Sequence, residues 1–354
     1  MEKEKAQTIR KRILIAVFVL FNVGVVLWTA LSEFADRKNA ARLRSIEIRW
    51  EMLIPAALCF AAAILAESIK YAQIMYKTTG RRDLLLAFKT VMLGRYYDNI
   101  TPFGAGGQPF QIFYLKQNGL GSAQSATVPL AGFVSTQFGF IILAVGAFTF
   151  RIISGFFSGD IQNVIKVSSY VGLFFYSAVP ILILIFAFFP NAASKIISGV
   201  VRLLGKLHLV KDTDKKTESI YKTMTDYSEC VKTVIKSKGL AAALLGMSFT
   251  YQFALCSIPF FLLRAFGGSM GFFECLVTTV SILCAITIIP TPGNSVAAEG
   301  SFYAVFSTLT EGYVFWAMLS WRFFTFYIFI FAGIFIYAKR YIDKKRGKNG
   351  IINE

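Results

Sequence analysis

The sequence predicts an all-α polytopic integral membrane protein. Six full transmembrane helices are expected, plus two opposed re-entrant helical hairpins that form an inverted repeat. Three observations predict this. The 354 residues are 55% hydrophobic and only 16% charged, which lies beyond the range of soluble globular domains. The apolar residues gather into runs of about 20, the length that crosses ~30 Å of hydrocarbon as a helix. Two further apolar regions are broken by proline and glycine, at Asn99-Ile-Thr-Pro-Phe-Gly-Ala-Gly-Gly-Gln-Pro109 and Ile289-Pro-Thr-Pro-Gly-Asn-Ser-Val-Ala-Ala-Glu-Gly300. Broken backbone and ionisable groups at membrane depth are tolerated only inside protein or beside a polar cavity.

The six runs are Ile13–Leu31, Met52–Ile74, Ala123–Phe150, Ser168–Phe189, Leu240–Leu263 and Tyr313–Tyr337. None shows the period-two alternation of a transmembrane β-barrel. The run after the basic start (Lys3, Lys5, Arg10, Lys11, Arg12) has no small-residue cleavage site, so it reads as an uncleaved first span. Residues 1–339 form the membrane domain, and 340–354 a basic tail.

Charge fixes the expected topology. The formal net charge of +17 would suggest nucleic acid in a soluble protein. Here the basic residues lie between and beyond the spans, so they set orientation and meet anionic lipid. The start, 75–83, 190–238 and the tail are all basic, and all are expected on the cytoplasmic side. Single spans at 84–118 and 271–310 would put 190–238 outside. Hairpins there, the first entered from the cytoplasm and the second from outside, restore parity. That places 24 Lys and Arg inside, against 8 in loops 33–49, 151–167 and 264–270. Hairpins of opposite direction are what inverted repeats produce; the alternative is that one or both are two short complete crossings. Within 190–238, Ile220, Met224, Tyr227, Val231 and Val234 make an apolar stripe at helical spacing. A helix on the inner leaflet or packed beneath the bundle is expected there.

Few residues can carry chemistry. Cys59, Cys230, Cys256, Cys275 and Cys284 include no CxxC, and His208 is the single histidine. The sequence therefore offers no zinc or disulfide framework. No nucleophile–base pair, Walker loop or dinucleotide fingerprint is present, so no catalytic residue, metal or cofactor is expected. Any transport is passive, ion-coupled or driven by a partner.

The first broken segment places Arg95 one helical turn before Asp98. Two readings stand. One is a structural ion pair. The other is a site where the acid meets a cation and the arginine a phosphate. Thr101 and Gln108 offer neutral hydrogen bonds. Gly104, Gly106 and Gly107 let backbone approach a ligand closely. Glu299 follows the second break, either as a carboxylate near free helix N–H groups or as a headgroup or proton ligand. Arg322 lies alone in the last span and needs a partner from another one. Glu299 is the expected partner. Its planar fork suits a phosphate. Glu67 and Lys70, at i and i+3 in the second span, form a secondary buried pair.

The segments Gly94-Arg-Tyr-Tyr-Asp-Asn-Ile-Thr-Pro-Phe-Gly-Ala-Gly-Gly-Gln-Pro109 and Pro290-Thr-Pro-Gly-Asn-Ser-Val-Ala-Ala-Glu299 resemble the membrane domain of lysylphosphatidylglycerol synthetase/flippase proteins, which include the bacterial multiple peptide resistance factor. The second segment departs from the family pattern, with Asn294 and Ser295 where glycines are usual. The resemblance implies a multi-pass protein of the bacterial plasma membrane; the basic flanks put both termini on the cytoplasmic side. Its expected function is a lipid flippase. The substrate would be lysyl-phosphatidylglycerol, or a related aminoacylated or polyprenyl-linked lipid. In such a role the outer cationic lipid repels cationic antimicrobial peptides. The family's soluble synthetase domain is not found in this sequence, so catalysis by this chain alone is not expected. A separate synthetase or glycosyltransferase is an expected partner, and nucleic acid is not. Two alternatives remain open: the membrane component of a phosphatidylglycerol lysyltransferase system, and a small-solute or ion-coupled transporter.

Overall fold

The computed structural model describes Leu31 and residues 47–101, 104, 106–156, 160–206, 213–287, 289 and 295–345. The expected first span, Ile13–Leu31, falls outside these residues except for Leu31. So do the N-terminal basic flank, Pro102, Phe103, Ala105, Pro290–Asn294 and the tail beyond 345. All regular structure among the described residues is helical.

Among the described residues, five helices are long and apolar enough to cross a membrane: Trp50–Thr79, Ser122–Ser154, Ile161–Phe188, Lys238–Ala265 and Val314–Ile336. They coincide with five of the six expected spans. Their outward faces carry Ile153 (80% exposed), Phe174 (73%) and Phe335 (69%). Such a surface suits a lipid environment and not water.

Helix α1 (Leu53–Thr79) stops at Gly80, whose left-handed φ of 71° closes the last turn by donating to the Tyr76 carbonyl at 2.8 Å. Helix α2 (Leu84–Ile100) begins at Asp83, whose carboxylate accepts the Leu86 N–H at 2.8 Å. That hydrogen bond, with the Arg81 guanidinium, holds the Asp83 carboxyl below the usual range. After the break, α3 (Gly107–Gln117) folds back along α2. Arg81 Nη1 donates to the Asn118 carbonyl at 3.2 Å, so this helical hairpin leaves and returns at the same end of the bundle.

Helix α4 (Ser122–Ser154) crosses to the opposite end, α5 (Asp160–Phe188) returns, and α6 (Pro190–Lys206) and α7 (Thr213–Lys236) follow. The expected stripe on α7 is buried at Tyr227, Val231 and Val234, 4% exposed each. Ser228 donates to the Ala187 carbonyl at 2.6 Å. Helix α7 therefore packs beneath the bundle. The side chains of Ile220 and Met224 lie outside the description.

Helix α8 (Lys238–Ala265) crosses again. A second hairpin follows, α9 (Phe272–Ile286) and α10 (Ser295–Leu309). Its ends also meet: Ser269 N–H donates to Thr310 Oγ1 at 3.0 Å, and Tyr313 N–H to the Phe266 carbonyl at 2.8 Å. The Arg49 N–H, just before α1, reaches the Ala265 carbonyl at 2.8 Å. The second hairpin thus hangs from the end where α1 starts, and the first from the end where α1 stops. The last crossing is α11 (Val314–Arg322), a π-helical segment Phe323–Tyr327, and α12 (Ile328–Lys345).

The crossings pack through small residues, as membrane helices do when no water drives association. A Cβ on Gly139 of α4 would lie 2.7 Å from the Ser248 carbonyl carbon of α8, and one on Gly172 of α5 would strike the Cys284 carbonyl of α9.

One expectation is corrected. Arg151, counted as an outer-loop charge, is 2% exposed in the last turn of α4. It donates to Ser281 Oγ at 2.9 Å and Ser169 Oγ at 3.3 Å, and lies 4.4 Å from the Phe148 ring centroid. A helix–helix contact has captured it, so it does not report orientation.

Candidate functional site

The first hairpin is held by its own polar residues. Thr101 donates to the Tyr97 carbonyl at 2.7 Å and accepts the Gly106 N–H at 2.9 Å. Asp98 Oδ1 accepts the Gly107 N–H at 2.8 Å, capping the first turn of α3. Tyr97 and Phe110 stack with centroids 3.8 Å apart. Gln111 donates to the Thr90 carbonyl at 3.1 Å and accepts from the Tyr71 hydroxyl at 3.2 Å.

The glycines serve this closure. A Cβ on Gly107 would strike the Asp98 carboxylate, and one on Gly106 would lie 2.7 Å from Thr101 Oγ1. Gly104 turns the chain at φ 62°. The expected close approach of backbone to ligand is here an approach of the hairpin to itself. Gln108 sits half-buried in the first turn of α3.

Arg95 and Asp98 do come together, with Nη1 to Oδ2 at 3.8 Å. The contact is loose, and Asp98 has already committed one oxygen to Gly107. The Arg95 guanidinium lies 5.3 Å from the Tyr251 ring centroid on α8. Tyr251, Asp98, Glu67 and Tyr71 all act on its charge. It is therefore surrounded by helices α1, α2 and α8. Yet 34% of its side chain remains accessible.

Glu67 and Lys70 are not a separate pair but one wall of this region. Their 2.6 Å contact is fully buried. Lys70 also donates to Thr136 on α4, and to Ser248 on α8 at 3.2 Å. Thr136 Oγ1 lies 3.1 Å from Glu67 Oε1. The ammonium thus has three oxygen partners for three protons, and α1, α4 and α8 are pinned together.

The second constellation differs. Arg322 Nε donates to Glu299 Oε1 at 3.0 Å, the partnership expected from sequence. The side chains are 5% and 2% accessible. Arg322 also faces the Phe326 ring at 4.9 Å. Apolar side chains enclose the pair's surroundings, among them Ile282, Ala298, Phe302, Val305 and Trp321.

A hydrogen bond links the two constellations: Asn99 Nδ2, next to Asp98, donates to the Phe326 carbonyl at 3.2 Å. That carbonyl belongs to the π-helical segment immediately after Arg322. π-segments recur at functional positions because they carry a surplus residue in the turn.

Sequence reasoning missed Tyr71, Gln111, Thr136, Ser248, Tyr251 and Asn99. Hydroxyls and amides in apolar helices have no distinctive spacing. Only Gln111, four residues after Gly107, repeats on the α3 face that meets α2. Among the described residues no group of three or more His, Cys, Asp or Glu could hold a metal.

Comparison with known proteins gives one match. A family model described as lysylphosphatidylglycerol synthase TM region covers residues 13–333. No curated protein and no solved structure matches significantly.

Proposed function

The chain belongs to the lysylphosphatidylglycerol synthase TM region family, and from that premise we propose that it moves a phospholipid headgroup across the bacterial plasma membrane, with Arg95 contacting the phosphate. The observation that carries this reading is Arg95 itself: partly accessible, held by Tyr251, and 3.8 Å from an Asp98 carboxylate whose other oxygen accepts the Gly107 N–H. A guanidinium with five donors, held beside the Tyr251 ring and hydrogen-bonded to its hydroxyl, keeps further donors for a planar or tetrahedral oxyanion.

Asp98 keeps the hairpin closed through the Gly107 N–H. Thr101, Gly104, Gly106 and Gly107 shape the tip, and Gln108 borders it. Glu67 and Lys70 are the scaffold. The substrate class is phosphatidylglycerol or its aminoacylated form.

Helices α2 and α3 are about 25 and 16 Å long, and α9 and α10 about 22 Å each, all short of the ~30 Å core. They are read as re-entrant, entering from opposite sides, with six full spans completed by Ile13–Leu31. The basic loops put both termini in the cytoplasm.

The test is flipping of headgroup-labelled phosphatidylglycerol in vesicles bearing the purified protein. Arg95→Gln should slow it by about 10- to 100-fold, the effect of losing a charged hydrogen bond of ~1.5–3 kcal/mol. A wild-type rate in Arg95→Gln would refute the assignment. The family description favours a second reading, in which the chain is the membrane component of an aminoacyl-lipid synthase system. Lipid analysis of a deletion strain separates the two: loss of the aminoacyl lipid itself, not of its outer-leaflet exposure, would favour synthesis.

A further inference from the structure

The two buried ion pairs are built to different standards. Lys70 has Glu67, Thr136 and Ser248 around it. Arg322 and Glu299 share a single contact, Nε to Oε1. A carboxylate that meets the side of a guanidinium can accept from Nε and Nη2 together. Here, among the described residues, Arg322 Nη2 and Glu299 Oε2 are both buried and have no hydrogen-bond partner. Buried polar atoms left in this state call for an explanation.

The setting supplies one. The charged or titratable groups facing Glu299 among the described residues are Arg322 and, from the π-segment, Tyr327. Helix α9 brings the thiol of Cys275 to the surrounding cluster, and α8 and α9 otherwise bring apolar side chains such as Ile258, Leu262 and Ile286. Helix α5 contributes the neutral Gln162, bound to Thr308 at 2.9 Å. A single proton on Glu299 therefore removes the nearest counter-charge of Arg322. The π-segment directly after Arg322 can absorb a shift of that side chain, and its Phe326 carbonyl is tied to Asn99, four residues from Arg95.

We propose that Glu299 is a proton site, and that its protonation releases Arg322 to take the lipid phosphate, so that one proton moves with each lipid. This rests on the reading of the chain as a phospholipid translocase. The balance is simple. The carboxylate gains a proton and becomes neutral. The guanidinium stays charged and exchanges the carboxylate for the phosphate. When the lipid leaves, the proton returns to water and the ion pair re-forms. No other bond is made or broken.

The experiment uses the purified full chain in vesicles with headgroup-labelled phosphatidylglycerol, a trapped pH dye and an imposed pH gradient. One titrating group changes the initial rate by up to about tenfold per pH unit. The expected result is a gradient-dependent wild-type rate, about one proton per lipid at the dye, and loss of the gradient response in Glu299→Gln. Wild-type flipping that ignores the gradient would overturn the proton proposal and leave the translocase reading intact. Absence of wild-type flipping would overturn both. A persistent gradient response in Glu299→Gln would assign the proton elsewhere. If that variant does not fold, the dye stoichiometry of the wild type decides alone, and a value of zero overturns the proposal.

Discussion

The two hairpins share a plan and differ in finish. Each is a pair of short helices whose connecting sequence contains Thr-Pro and glycine, with a carboxylate close by and an arginine near it. In the first, the acid caps the returning helix and the arginine stays partly accessible. In the second, acid and arginine are sealed against each other. The same residue types therefore mean different things. In the reading proposed above, accessibility makes the first arginine the ligand contact, and enclosure makes the second a group that must be released before it can act.

The comparison can be broken by substitution. The largest effect is expected at the sealed pair. Arg322→Met leaves Glu299 buried without its partner, a loss of about 3–5 kcal/mol. The double change with Glu299→Leu should recover most of it. Thermal unfolding in detergent reads both. An equally small effect of single and double changes would mean the pair is hydrated and not enclosed.

Next comes the closure of the first hairpin. Gly107→Ala drives a methyl into the Asp98 carboxylate, at a cost of about 1–3 kcal/mol. Asp98→Asn keeps an oxygen for the Gly107 N–H and should cost under about 1 kcal/mol. If Asp98→Asn unfolds the protein while Gly107→Ala does not, the cap assignment fails.

Arg95→Lys should barely change stability, since loosely held, partly exposed pairs are worth about 0–1 kcal/mol. It should nevertheless weaken phosphate binding, because a lysine lacks the fork. A stability loss as large as that of Arg322→Met would erase the distinction between the two arginines.

The smallest effect lies outside both sites, at Asp83. Removing this cap costs about 1 kcal/mol. Its carboxyl is held below the usual range in the folded chain. The contribution is thus present above the unfolded-state value and fades as pH falls through the folded one. Acid unfolding of Asp83→Ala should lack that component. An acid profile identical to wild type would show that the cap contributes nothing.

Much of this architecture was legible in the sequence. Hydrophobic run length located the five crossings that the structure describes, because the hydrocarbon core imposes it. Charge parity pointed to the segments where the structure has the helix pairs α2/α3 and α9/α10, whose ends meet at opposite ends of the bundle. The Glu299–Arg322 partnership followed from a lone buried cation needing an acid. The rest was hidden for physical reasons. Arg151 looked like a loop charge because nothing in sequence says that Ser169 and Ser281 would surround it. The glycines of the first tip suggested a ligand cradle, since sequence does not show which atoms fill the space above them. The joining of Glu67 and Lys70 to Thr136, Ser248 and the surroundings of Arg95 depends on how α1, α4 and α8 cross. The π-segment has no sequence signature among the phenylalanines that form it.

The central claim is that Arg95, and not Asp98, is the contact that the lipid phosphate requires. The direct measurement is the initial flipping rate of labelled phosphatidylglycerol in vesicles carrying Arg95→Gln or Asp98→Asn, at matched amounts of folded protein. The account predicts a loss of about tenfold or more for Arg95→Gln and near-wild-type flipping for Asp98→Asn. Near-wild-type flipping by Arg95→Gln together with loss in Asp98→Asn would contradict it.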